Sequence, residues 1–182
     1  MINSSREEKA GGAVTLGLLA AWALHDAEEL LAVPGWWRRN LPALRERYPA
    51  VPEAVWRRAV PVEPREFAVA VGAMAVIVAS ASAAGRLTGG RSAVYQTALN
   101  AFGLHGLVHL AQAGLVRGYT PGSATSPLLV VPFTLWARHR LHRAGVLRRS
   151  RPRDLALGLG LAGAATVVSH AVARRVTGAG KG

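Results

Sequence analysis

His25-Asp26-Ala27-Glu28-Glu29 lies in the second half of an apolar run from Gly11 to Val33 that contains no proline and ends at Pro34-Gly35. The run is rich in Ala, Leu and Gly, and its composition predicts a helix that stops at the Pro-Gly pair. About twenty apolar residues are the length needed to cross a bilayer. A histidine and three carboxylates at that depth cost roughly 3 kcal/mol each on insertion scales, so such groups pair, face the bundle interior and mark function. At about 100° per residue, Glu28 and Glu29 fall one turn beyond His25, on either side of its direction. One helix face thus carries an imidazole and two carboxylates, with Trp22 on the same side.

The rest of the composition agrees with a membrane setting. The chain has 182 residues, which suits one domain. Hydrophobic residues make up 51% and charged ones 18%, while 20 glycines and 10 prolines fit membrane helices better than soluble ones. There is no cysteine, so disulfides and thiolate metal sites are excluded. Any metal must be held by His, Asp or Glu, a donor set for zinc, iron or manganese rather than copper(I). The net charge of +12 would suggest nucleic acid in a soluble protein. Here the arginines lie between apolar runs, where they suit lipid headgroups, and the few aromatic residues form no stacking platform. The expected partner is therefore the lipid bilayer, with no nucleic acid.

Residues 1–10 form a polar leader. Ala21-Trp22-Ala23 looks like a small-residue cleavage site, but the leader has no net positive charge, so the first helix is expected to be retained. Residues 34–65 carry Trp36, Trp37, Trp56, seven arginines and six prolines. That number of prolines argues against one long helix. The segment reads as interfacial, with rings at headgroup depth and guanidiniums outward, either as an ordinary basic loop or as a cap over a substrate entrance.

Four further apolar runs complete five expected spans, at about 11–33, 66–84, 92–116, 123–137 and 154–173. The second is rich in small residues that allow close helix approach. The third holds Asn100, His105, His109 and Gln112. His105 and His109 stack at i and i+4, which is metal-ligand spacing when another ligand comes from elsewhere. Gln112 extends that stripe, while Asn100 falls nearly opposite it. Gly118-Tyr119-Thr120-Pro121-Gly122 is a tight turn, and Pro127 and Pro132 should kink the fourth run. Residues 138–153 read as a basic loop in which His139 and His142 are solvated, and His170 reads as interfacial or capping. Five spans put the N-terminus, the 84–92 turn and the 138–153 loop on one side, which the short basic loop makes cytoplasmic, with the C-terminus outside and the arginines of 34–65 at the outer interface. The fold class expected is an all-α, polytopic membrane helical bundle in the cell membrane.

The His25-Asp26-Ala27-Glu28-Glu29 pentapeptide, Pro34-Gly35-Trp36-Trp37, the Asn/His-bearing third run and the Tyr119-Thr120-Pro121-Gly122 turn together resemble the HXXEE-domain family of predicted bacterial integral membrane proteins. The resemblance implies a multi-pass membrane domain over most of the chain. It carries His25, Glu28 and Glu29 over as the motif residues, and it implies no reaction.

Three functions fit these residues. In a metal-dependent membrane enzyme, His25, Glu28, Glu29, His105 and His109 are the candidate ligands. They could hold zinc with an open position for water, or iron or manganese as carboxylate/His sets on facing helices do. The carboxylate left over, Glu28 or Glu29, would be the catalytic base, and the substrate a lipid or other apolar molecule. Trp22, Asn100, Gln112 and Tyr119 would line the site. In a metal-free acid/base isomerase or cyclase of isoprenoid-like substrates, one of two adjacent carboxylates stays protonated as the acid and Trp22 stabilises a carbocation. In a non-enzymatic membrane protein, the same groups form a buried polar network that locks two helices.

Overall fold

The computed structural model describes residues 11–58, 63–149 and 152–178. The polar leader 1–10, residues 59–62 of the expected interfacial segment and residues 150–151 of the basic loop lie outside the described residues. Among the described residues every regular element is helical: α1 (Gly12–Thr15), α2 (Gly17–Arg47), α3 (Glu53–Arg58), α4 (Pro64–Leu87), α5 (Ala93–Val116), a π-helical turn (Ser126–Val130), α6 (Val131–Arg143) and α7 (Pro152–Thr177). By length and apolar composition one of these, α4, suffices to cross a membrane.

The largest departure from expectation is α2. It does not stop at Pro34-Gly35 but runs 31 residues, with Pro34 and Pro42 inside it, about 46 Å at 1.5 Å per residue. The first half of the expected interfacial segment is therefore continuous helix. A proline in a helix interior costs about 3 kcal/mol, and three anchors beyond Pro34 oppose that cost. The Trp36 indole donates to the Tyr119 carbonyl at 2.7 Å, Arg47 Nη1 to the Val116 carbonyl at 2.8 Å, and the Tyr48 hydroxyl to the Leu115 carbonyl at 2.8 Å. The last two satisfy end carbonyls of α5, which have no partner inside their own helix. Tertiary bonding thus overrides local propensity.

The fourth run differs as well. The expected span 123–137 begins as a turn and a π-helical turn, and α6 carries the helix on to Arg143, into what was read as a basic loop. Pro127 lies in the first turn of the π-helical turn and Pro132 at the junction where that turn passes directly into α6. His139 and His142 are exposed on α6, in keeping with a solvated reading. His170 lies inside α7, two turns before its end, with Nδ1 3.8 Å from Glu66 of α4.

The core gathers around α5. Tyr95, Leu99 and Phe102 pack with Val14, Leu18 and Ala21 of the N-terminal helices and with Val130, Ala137 and Leu141 of the fourth run. The Tyr95 hydroxyl donates to the Val14 carbonyl at 2.6 Å, which ties α1 to α5. Two glycines one turn apart on α5 let the fourth run come close. A Cβ on Gly103 would fall 2.7 Å from Thr134, and one on Gly106 2.7 Å from Val130. That approach holds the π-helical turn and the first turn of α6 against α5 beside His105.

Candidate metal centre

The site lies where α2, α5 and the 119–125 turn meet. His25 and Glu29 come from α2 one turn apart, and His105 and His109 from α5 one turn apart. One ligand atom from each lies within 4.8 Å of all the others. The His105 and His109 Nε2 atoms are 2.8 Å apart, and Glu29 Oε1 is 3.2 Å from His109 Nε2. The three imidazoles stand edge to face, with ring centroids 4.3 to 5.1 Å apart. Phe102 closes the base of the group with an edge contact to His25 at 5.9 Å. Three nitrogens and one carboxylate oxygen converging on one point form a group that could hold a metal ion, with the composition of a zinc, iron or manganese site.

Glu28, which the spacing alone places with Glu29, has a different task. Its Oε1 accepts from the Tyr119 hydroxyl at 2.8 Å, from Gly122 N–H at 3.2 Å and from Ala124 N–H at 3.4 Å. Its Oε2 accepts from Thr125 N–H at 2.9 Å and from the Thr125 hydroxyl at 2.6 Å. Five donors saturate the carboxylate and fold the turn around it. Glu28 is therefore an anchor of the turn and lies outside the four-residue group, contrary to its expected place among the ligands.

Thr125 then connects this anchor to the site. Its one hydroxyl hydrogen goes to Glu28, so toward His25 Nδ1, at 2.6 Å, the oxygen can only accept. With the hydroxyl hydrogen donated to the Glu28 carboxylate, His25 carries its proton on Nδ1, the tautomer that leaves Nε2 as a lone pair. His25 is fully buried, and its Nε2 has no hydrogen-bond partner. A buried acceptor without a donor is rare and costly, and an outer-shell carboxylate that sets an imidazole tautomer is the usual companion of a ligating histidine. Sequence reasoning missed Thr125. Its nearest signal is its place just after the Tyr-Thr-Pro-Gly turn.

The turn also seats His109. Gly122 has φ +82°, and a Cβ there would come 2.6 Å from His109 Cε1 and 2.7 Å from Nδ1. Only glycine satisfies both the backbone and the contact. Tyr119, at the rim, has its phenol pushed up to about 12, first by burial and then by its bond to Glu28 and the nearby carboxylate charges. It therefore stays a hydrogen-bond donor at any ordinary pH.

Of the other expected lining residues, Trp22 packs against the apolar core and Asn100 pairs with Arg138 of α6. Gln112 does reach the site's surroundings. With Glu29 and His109 it lines a cavity of about 310 Å³, whose remaining wall includes Val33, Trp36, Trp37 and Val116. His105 is the exposed member of the group, beside the exposed Leu107 and Val108 on α5. The site thus has one side on the molecular surface and another on an apolar cavity.

No curated protein and no solved structure matches the chain. A family model described as a protein of unknown function with an HXXEE motif matches residues 16–137, which include all four members of the group, the Glu28 anchor and the turn. That stretch is more than half of the chain, and the protein belongs to the HXXEE family.

Proposed function

We propose that the protein is a multi-pass enzyme of the cell membrane in which His25, Glu29, His105 and His109 hold a divalent metal, zinc or else iron or manganese, and which acts on a lipid or other apolar molecule. The observation that supports this reading is that His25, whose buried Nε2 has no hydrogen-bond partner, offers a ligand atom within 4.8 Å of one each from Glu29, His105 and His109. A structural network would have placed a donor there, because leaving a buried acceptor unmet costs about 1–3 kcal/mol. When bound, the metal would polarise a substrate oxygen or activate water. The chain's part is to fix the His25 tautomer through Thr125 and Glu28, to hold His109 against Gly122, and to place Glu29 where it can ligate or take a proton.

The membrane reading rests on α4 and on the apolar residues exposed along other helices. Leu24 and Leu31 of α2, Leu107 and Leu115 of α5, Leu135 of α6 and Val167 and Val168 of α7 all lie outward. Large apolar surface of this kind on a folded chain calls for a lipid or protein cover. A second reading draws on the Glu29–His109 contact at 3.2 Å beside an apolar cavity, a proton-sharing pair suited to metal-free acid/base chemistry.

Elemental analysis of detergent-purified protein, wild type beside His25→Ala and His109→Ala, separates the two. About one equivalent of zinc, iron or manganese in the wild type, lost in both folded variants, is expected. A wild type that stays metal-free after reconstitution under reducing conditions overturns the metal reading and leaves the acid/base pair.

A further inference from the structure

One end of the bundle gathers positive charge that the metal site does not use. Gln96, in the first turn of α5 and 4% exposed, assembles it. Its Nε2 donates to the carbonyls of Gly90 and Val146, both at 2.8 Å, and its Oε1 accepts from the Arg148 N–H at 2.8 Å. One buried side chain thus ties the α4–α5 turn to the residues that follow α6, 50 and 52 positions away in the chain. A Cβ on Gly12 would lie 3.7 Å from Arg86 Nε, so α1 reaches the same end. Arg86, Arg140, Arg143, Arg148 and Arg149 are all exposed there, as is His142.

The described segments at this end hold little to offset these cations. Residues 11–17, 86–94 and 138–149 contain no aspartate or glutamate, and Arg153 and Asp154 at the start of α7 cancel in formal charge. At the opposite end carboxylates are interleaved with the arginines. Arg45 pairs there with Glu53 at 2.9 Å, and Arg174 lies 3.9 Å from Glu66. The basic end is also not purely polar. Leu87 is 87% exposed and Val94 63%, Leu16 is exposed as well, and the exposed Trp136 sits one turn before Arg140 on α6. A nucleic acid would leave these apolar groups against water and phosphate. A bilayer boundary matches them, because apolar residues and a tryptophan meet hydrocarbon there while guanidiniums reach the phosphates.

We propose that this end of the bundle is a docking surface for anionic phospholipid headgroups, with Arg86, Arg148 and Arg149 on one side of it and Arg140 and Arg143 of α6 on the other. The proposal rests on the membrane reading above but not on the metal or the reaction. A basic side chain at an anionic surface is worth about fivefold in affinity. Five of them together separate an anionic lipid from a zwitterionic one, whose choline cancels its phosphate.

Native mass spectrometry of the full-length protein in a neutral detergent tests it, with phosphatidylglycerol and phosphatidylcholine of the same acyl chains supplied in equal amounts. Retention of phosphatidylglycerol over phosphatidylcholine is expected, and it should weaken as the ammonium acetate concentration rises. Arg148→Gln combined with Arg149→Gln keeps the backbone bond to Gln96 and should lose most of that preference, about fivefold for each arginine. Arg38→Gln combined with Arg39→Gln removes the same charge from exposed positions far along α2 and should leave the preference unchanged. Equal retention of the two lipids by the wild type, or equal loss in the two variants, would overturn the proposal and leave the membrane reading standing. Retention of neither lipid by a protein that stays dispersed once detergent is removed would overturn both. A short DNA duplex that binds in preference to phosphatidylglycerol, and is lost in the Arg148/Arg149 variant, would assign the surface to nucleic acid instead.

Discussion

The Thr125 hydroxyl oxygen lies 2.6 Å from Nδ1 of His25, although the two residues are a hundred positions apart in the chain. Through that contact the Glu28 carboxylate, itself outside the ligand group, decides which nitrogen of His25 faces the other histidines. The same carboxylate that folds the turn therefore orients the site.

Removing the hydroxyl while keeping the shape isolates this effect. Thr125→Val leaves His25 free to take either tautomer and to rotate, and loss of such an outer-shell bond lowers metal affinity by about 10–100-fold. Thr125→Ser restores the oxygen and should recover most of the affinity. Competition against a chromophoric chelator measures both. Equal affinity in the valine variant and the wild type would dismiss the relay.

Glu28 and Glu29 are adjacent in sequence but should separate in experiment. Glu28→Gln puts an amide N–H₂ among five donors and should cost about 2 kcal/mol of stability, since hydrogen bonds to a charged acceptor are the strong ones. Glu29→Gln removes an oxygen ligand without disturbing the turn, so it should lower metal content and leave the melting temperature of the apo-protein near that of the wild type. Thermal melts of chelated samples and elemental analysis, run on both variants, read the two effects. A pair of variants with the same profile would refute this division of labour.

How much of this was legible beforehand follows from the range of the interactions. α4 and α5 could be read from apolar runs, and His105 with His109 from their spacing, because helical periodicity is a local property. The convergence of His25 and Glu29 on that pair was readable only as two polar faces in need of each other. The end of α2 was misread because Pro34 and Pro42 are strong local signals, whereas the bonds that outweigh them reach from Trp36, Arg47 and Tyr48 to residues 115–119. Glu28 was grouped with the ligands for a similar reason. Its five donors all come from residues 119–125, and nothing in a helical wheel distinguishes a carboxylate bound for a turn from one bound for a metal.

Gly122→Ala probes the turn from its other side. The substitution imposes a side chain at φ +82° and drives a methyl group to 2.6 Å from the His109 ring. A strained backbone of this kind costs about 1–3 kcal/mol, and the ring must also move away from His105. A lower melting temperature together with loss of metal is expected. Gly118→Ala, in the same turn but with open space around its Cβ position, should change neither, and it serves as the control. Matching behaviour of the two variants would show that contact with His109 does not matter.

The membrane arrangement can be tested with introduced thiols, because the chain has no cysteine of its own. Leu24, Val76, Leu107 and Leu135 are exposed apolar residues on α2, α4, α5 and α6. If these helices cross the bilayer, their outward faces meet hydrocarbon, where a thiol does not ionise and a water-soluble maleimide does not partition. Single cysteines at these four positions should stay unmodified in opened native membranes, while His142→Cys, exposed at the basic end of α6, should react fully. Denaturing the membranes in detergent should then make all five react alike. Protection at Val76 alone would restrict the membrane contact to α4, and Leu24, Leu107 and Leu135 would then need a protein partner to cover them.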